Sequence, residues 1–169
     1  MTLPAPKLAL DFEALYRDAR DDVFAYIATL LRDRGAAEDV TAQAFERAFR
    51  KSKSFDARRG SERAWLFGIA RNAALDELRR RKRSAQLVTE PHDAEPTPDE
   101  EIDRALRRAA VRAALAGLPP RDRELIALKF HAGLDNAEIA AVLGVSVSNA
   151  GTRLHRALTK LREVLDDQS

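Results

Sequence analysis

Residues 84–103 hold seven Asp or Glu, no Lys or Arg, and three prolines at Pro91, Pro96 and Pro98. Such a stretch buries too little apolar surface to offset the entropy of ordering it. It therefore cuts the 169-residue chain into two pieces. On both sides the apolar residues recur at helical spacing, and no segment shows the sustained alternation of a strand. The sequence predicts an all-α chain of two small helical domains, residues 1–83 and 99–169, joined by a flexible acidic linker over residues 84–98. Three helices precede the linker and four follow it.

In the first piece, Phe12, Leu15, Tyr16, Val23, Phe24, Ile27, Leu30 and Leu31 mark a helix that closes at Gly35. A second helix is expected from Ala36 to about Arg50, with Val40, Ala44, Phe45, Ala48 and Phe49 on its apolar face. Glu38 and Asp39 then sit in its acidic first turn. The polar run KSKSFDARRGS reads as a loop, and a third helix follows from about Glu62 to Arg83. This third helix joins an apolar face (Trp65, Phe67, Ile69, Ala73, Leu75, Leu78) to the densest cationic run in the chain. Arg71, Arg79, Arg80, Arg81, Lys82 and Arg83 supply charges able to pair with phosphates. A basic helix end is also favoured by the helix macrodipole alone.

In the second piece a helix over Asp99–Ala116 ends at Gly117, and Pro120 opens the next, which buries Leu125, Ile126, Leu128 and Phe130 before stopping at Gly133. Residues Asn136 to Leu165 have the mechanics of a helix-turn-helix. Ile139, Val142 and Leu143 form a short apolar face, Ala140 permits close crossing, Gly144 supplies a positive-φ turn and Val145 plugs the corner. The following helix, capped by Ser146 or Ser148, buries Ala150, Leu154, Ala157, Leu158 and Leu161. That register turns Asn149, Gly151, Thr152, His155 and Arg156 outward, toward a major groove. Arg156 can pair bidentately with guanine, Asn149 can read a base edge or hold a phosphate, and Arg153 borders the apolar stripe.

Charge and composition remove several function classes. The formal net charge of +2 hides two basic lobes flanking the acidic segment: residues 1–83 hold 18 Lys/Arg against 13 Asp/Glu, and residues 104–169 hold 11 against 7. Lobes of that sign suit a polyanion. The absence of cysteine removes thiolate zinc sites, and His92, His131 and His155 are too scattered to form a ligand cluster, so no metal or other cofactor is expected. No phosphate-cradling glycine loop is present, so an enzyme of nucleic acids lacks a site. No stretch approaches the ~18 apolar residues of a membrane span, and no secretory leader opens the chain. A cytoplasmic protein without membrane insertion is expected.

AEDVTAQAFERAF (Ala37–Phe49) and FDARRGSERAWLFGIARNAALDELRRRKR (Phe55–Arg83) resemble region two of bacterial RNA polymerase sigma factors of the extracytoplasmic-function (ECF) type. LPPRDRELIALKFHAGLDNAEIAAVLGVSVSNAGTRLHRALTKLR (Leu118–Arg162) resembles region four. The resemblance implies a transcription-initiation factor that binds core RNA polymerase, directs it to specific promoters and helps melt the minus-ten region. It implies that Asp39, Gln43 and Glu46 dock on the polymerase clamp helices. Phe55, Arg58, Arg59, Ser61 and Asn72 would hold the extruded non-template strand of the minus-ten element, with Arg79, Arg80 and Arg83 on the adjoining backbone. Trp65 fits a core anchor better than a base contact. Ser148, Asn149, Thr152, Arg153, His155 and Arg156 would read the minus-thirty-five element as duplex, while nearby helices meet the polymerase flap. An anti-sigma factor is the further implied partner. Two positions depart from the family pattern: Gln43 stands where a glutamate is usual, and Gly151 where a lysine or arginine often stands. Glycine there weakens the helix by ~1 kcal/mol relative to Ala. The competing reading is a stand-alone transcriptional regulator using only the helix-turn-helix, with the N-terminal helices as a sensor or dimerisation module.

Overall fold

The computed structural model describes residues 10–84 and 102–167, and within them every regular element is helical. The first helix, α1 (Phe12–Leu31), is capped by the Asp11 carboxylate, which accepts from the Ala14 N–H at 3.1 Å. It does not run to Gly35. Arg32 turns into the left-handed region at φ 55°, a conformation that costs a non-glycine residue about 1 kcal/mol. The offset comes from its neighbours. Asp33 caps α2 (Arg34–Arg50) by accepting from Ala36 N–H at 3.1 Å, and its second oxygen accepts from Arg81 at 3.0 Å. Gly35 is thus a residue of the second helix, and Glu38 belongs to that helix's second turn.

The α2 helix turns Ala37, Val40, Thr41, Ala44, Phe45 and Ala48 inward. Its three buried alanines let it lie close to α1 and to α3 (Glu62–Arg83), which buries Leu66, Phe67, Ile69, Ala70, Ala73 and Ala74. Phe49 does not join them: it is 62% exposed and meets Phe12 edge to face at 5.3 Å.

Beyond the gap in the described residues come α4 (Ile102–Ala116), α5 (Pro120–Phe130), α6 (Asn136–Leu143) and α7 (Val147–Asp167). The expected linker, from residue 85 on, lies outside the described residues. Pro120 occupies the first position of α5, where its missing N–H costs nothing. Leu125, Ile126 and Leu128 are buried as expected, but Phe130 at the helix end is 64% exposed. A capping box opens α6: the Asp135 carboxylate accepts from Glu138 N–H at 2.8 Å while Glu138 accepts from Asp135 N–H at 3.1 Å. Gly144 closes it at φ 69°, and Ser146 starts α7 by accepting from Asn149 N–H at 3.1 Å.

The two halves share one core. Leu125 and Leu128 of α5, Leu134, Ile139 of α6 and Leu154 of α7 belong to the same buried cluster as Val23, Tyr26 and Ile27 of α1 and Leu66 and Phe67 of α3. In this arrangement α5 packs against both α1 and α7, and α6 packs against α3.

Candidate nucleic-acid interface

Ser61 fixes the start of α3, its hydroxyl accepting from Ala64 N–H at 3.1 Å. From that register, 3.6 residues per turn place Trp65, Gly68, Asn72, Asp76, Arg79 and Arg83 along one stripe. Asn72, Asp76, Arg79 and Arg83 are exposed. A side chain added at Gly68 would meet nothing within 4 Å, so open space lies over the helix between Trp65 and Asn72. The loop before α3 is tied to this stripe by an edge-to-face pair, with the Phe55 and Trp65 rings 5.4 Å apart. Phe55 itself is only 7% exposed, so in this arrangement its ring sets the loop's position and is not presented to solvent. Arg58 and Arg59 are exposed, and Arg58 donates from its backbone N–H and from Nε to Asp56 at 3.0 and 3.2 Å.

The cationic run divides into different roles. Arg81 clamps the α1–α2 corner, donating to Leu31 C=O at 3.3 Å and Asp33 at 3.0 Å. Arg80 donates twice to Glu77, at 2.6 and 2.9 Å, and that hydrogen bonding holds the Glu77 carboxyl below its ordinary range against the opposing effect of burial. Arg79 shares Asp76 with Arg47 of α2, at 3.3 and 3.0 Å. Lys82 and Arg83 make no ion pair among the described residues. Arg71 departs from its expected role with phosphate: its Nε donates to Glu124 of α5 at 2.5 Å, and the side chain is mostly covered.

On α7, Ser148, Asn149, Thr152, Arg153, His155 and Arg156 are all exposed, while Ala150, Leu154 and Ala157 are buried. Gly151 is not on the outer face: it is half-buried, and a Cβ there would come within 3.4 Å of Asn136 Nδ2 on α6. A long cation at that position would have to leave the helix crossing. On α2, Asp39, Gln43 and Glu46 recur at i, i+4 and i+7 and form one exposed polar face, with Glu46 accepting from Arg50 at 2.5 Å.

The structure brings together residues that the sequence reading did not connect. Tyr26 of α1 donates its hydroxyl hydrogen to Glu124 at 3.0 Å, so Glu124, only 8% exposed, is held by Tyr26 and Arg71. Burial, then the Glu124 charge, raises the Tyr26 phenol well above its ordinary range. Arg63 donates to Ala132 C=O and to Asp22, both at 2.8 Å, and lies over the Phe67 ring. Ser61 donates to Glu138 in the first helix of the helix-turn-helix. One signal for the first contact was present: Glu124 stands beside Leu125 and Leu128 on an apolar face, where a carboxylate needs a buried cation.

Two family models match, Sigma-70 region 2 over residues 15–84 and Sigma-70, region 4 over residues 108–161. The chain is 32% identical over 158 residues to the ECF RNA polymerase sigma factor SigL of Mycobacterium tuberculosis, covering 91% of this chain and 88% of that one. The chain belongs to the ECF sigma factors. It is also 30% identical over 162 residues to the ECF sigma factor BldN of Streptomyces coelicolor, covering 94% of this chain but only 61% of that protein's length. Among solved structures it resembles the sigma factor RpoE in complex with the anti-sigma factor NepR from Bartonella quintana, with a TM-score of 0.79, 26% identity and coverage of 92% of this chain and 97% of that one. CnrH in complex with the cytosolic domain of CnrY gives a TM-score of 0.69 at 28% identity over 94% of this chain and 89% of that one. As an ECF sigma factor the chain directs RNA polymerase to promoters and acts by binding, not catalysis. The stand-alone regulator is set aside, because the region-two match covers the half that the regulator reading would make a sensor or dimerisation module. No helix among the described residues is long and apolar enough to cross a membrane.

Proposed function

We propose that this ECF sigma factor works in the cytoplasm as two binding domains, residues 1–83 and 99–169, that separate when polymerase and promoter engage them. Asp39, Gln43 and Glu46 on α2 dock on the clamp helices of core polymerase. The Trp65–Gly68–Asn72 stripe, with the loop that carries Phe55, Arg58, Arg59 and Ser61, takes the extruded strand of the minus-ten element. Arg79, Arg80 and Arg83 track its backbone. Ser148, Asn149, Thr152, Arg153, His155 and Arg156 face the minus-thirty-five duplex, and the helices around them meet the flap. The observation that carries this reading is the Ser61–Glu138 hydrogen bond. It joins the cap of the strand-capturing helix to the helix-turn-helix, so the surfaces for two promoter elements are held against each other.

Elements about 25 base pairs apart lie on the order of 85 Å apart at ~3.4 Å per base pair. The packed lobes, whose longest helices are about 33 Å at ~1.5 Å per residue, do not span that distance. Separation satisfies it. The likeness to RpoE bound by NepR supports an anti-sigma factor as a further partner, one that acts on the packed arrangement. The test is run-off transcription from genomic fragments by core polymerase with and without this chain. New promoter-specific transcripts are expected only with both present; tight sequence-specific binding of duplex by the chain alone would return the regulator reading.

A further inference from the structure

Between the lobes, away from the promoter-facing stripes, lies a cavity of about 270 Å³. Its apolar wall is Phe24 and Ala28 of α1 with Leu115 of α4, and its polar wall includes Arg32 and Arg123. Arg123 is the unusual member. Its Nε and Nη1 are out of solvent and have no hydrogen-bond partner. Five N–H donors in a fixed fork normally find a carboxylate, carbonyl or water when buried, so two nitrogens with three unmatched N–H donors mark a position built for an acceptor.

The surrounding charges sharpen the point. Burial, and then the positive charge of Arg32, lower the Arg123 guanidinium from its ordinary range. Neither Arg32 nor Arg123 makes an ion pair among the described residues. Asp33 lines the same cavity, but its carboxylate is taken by Ala36 N–H and Arg81, and Arg34 faces Glu38 at 3.5 Å. Among the described residues the cavity therefore sets Arg32 and Arg123, two guanidinium groups without an ion pair, beside Arg112, His131 and an apolar wall, in a volume too small for a polymer and near the lower end for small-ligand pockets.

We propose that this cavity binds a small amphiphilic oxyanion, whose phosphate or carboxylate head pairs with Arg123 and Arg32 and whose apolar body lies against Phe24, Ala28 and Leu115. Guanidinium forks match both kinds of head bidentately. Because the walls come from α1 on one lobe and from α4 and α5 on the other, the ligand binds the packed arrangement and stabilises it by mass action.

Titration calorimetry on the full chain tests this with phenyl phosphate, benzoate, inorganic phosphate and phenol as probes. Phenyl phosphate or benzoate is expected to bind saturably, at least tenfold more tightly than inorganic phosphate or phenol, and to raise the melting temperature with concentration. Arg123→Met keeps the stem and removes the fork, and should weaken that binding at least tenfold. Arg32→Asn, which retains a residue tolerant of positive φ, should weaken it without altering the fold, so the result does not hang on one variant. Three outcomes overturn the proposal: equal affinity for inorganic phosphate and phenyl phosphate, no binding of any probe, or binding unchanged in both variants. A fourth also does: binding that appears only after the acidic residues of 84–103 are replaced by their amides, since the chain's own carboxylates are then the occupant.

Discussion

At the scale of single residues, the exposed face of α7 and the stripe on α3 make separable predictions. Arg156 is exposed and not ion-paired among the described residues, so its fork is available to a guanine edge. Arg156→Ala should weaken recognition at one upstream base pair by ~1 to 3 kcal/mol and leave the others untouched. A promoter-variant transcription panel reads this, and a uniform loss across all variants would make Arg156 a phosphate anchor. Asn72→Ala should reduce promoter opening and selectivity on bubble templates while leaving core-polymerase binding nearly unchanged, because Asn72 lies on α3 beside open space and Asp39, Gln43 and Glu46 lie on α2. The outward residues of α7 were legible in the sequence because Ala150, Leu154 and Ala157 fix the buried side of a regular helix. Gly151 was misplaced for the opposite reason: a glycine has no side chain to betray its side, and only the crossing of α6 and α7 shows that it faces Asn136. Phe49 and Phe130 were placed in the core by their apolar character, yet each stands near a helix end, where the neighbouring helix no longer covers it.

At the scale of the element, the cationic run at the end of α3 is two devices in one sequence. Arg81 reaches back to Leu31 and Asp33 and braces the left-handed turn at Arg32, whereas Arg79, Arg80 and Arg83 stay exposed. Neutralising Arg79, Arg80 and Arg83 stepwise should lower affinity for all DNA sequences alike and flatten the dependence of binding on salt. Arg81→Ala should instead cost about 1 to 2 kcal/mol of stability by removing charge-assisted hydrogen bonds, with little change in the salt slope. Thermal melts and salt titrations of the two sets of variants distinguish the roles; equal salt effects would mean that Arg81 also meets phosphate. Composition alone cannot make this division, since five adjacent cations look alike until a distant Asp33 selects one. The start of α3 was legible from the end of the polar, glycine-containing run at Ser61, which the structure shows to be its cap. The end of α1 was not, because a glycine at 35 is the usual stop signal and Arg32 takes the left-handed turn only with Asp33 and Arg81 to hold it.

At the scale of the whole molecule, all seven α-helices of the described residues could be anticipated from the sequence, but the packing of one lobe on the other could not. Tyr26, Arg71 and Glu124 come from three helices, and the pairs that Glu124 forms are 98 and 53 residues apart. No local pattern encodes such a meeting. If the lobes part in use, this buried group is the contact whose loss should favour parting. Glu124→Ala leaves Arg71 and the Tyr26 hydroxyl without their acceptor. Removing one partner of a fully buried pair costs ~3 to 5 kcal/mol, and here the cost should be roughly 2 to 3 kcal/mol because Arg71 keeps about a quarter of its side chain in solvent. Small-angle scattering should then show a larger radius of gyration with helix content preserved, and promoter complexes with core polymerase should form faster. Tyr26 supplies an independent readout through pH. Its phenol is raised well above the ordinary tyrosine range by burial and by Glu124, so the packed state keeps the proton that a separated or unfolded chain releases. That contribution is fully present below the ordinary tyrosine range and falls as pH rises from that range toward the raised value. The packed state should therefore loosen at alkaline pH in the wild type, and Tyr26→Phe, which removes the ionisable group, should blunt that alkaline dependence at a modest cost in neutral-pH stability. Scattering and melting curves from neutral to strongly alkaline pH on both proteins check this, and an identical alkaline profile for the two would mean that Tyr26 does not control the contact between the lobes.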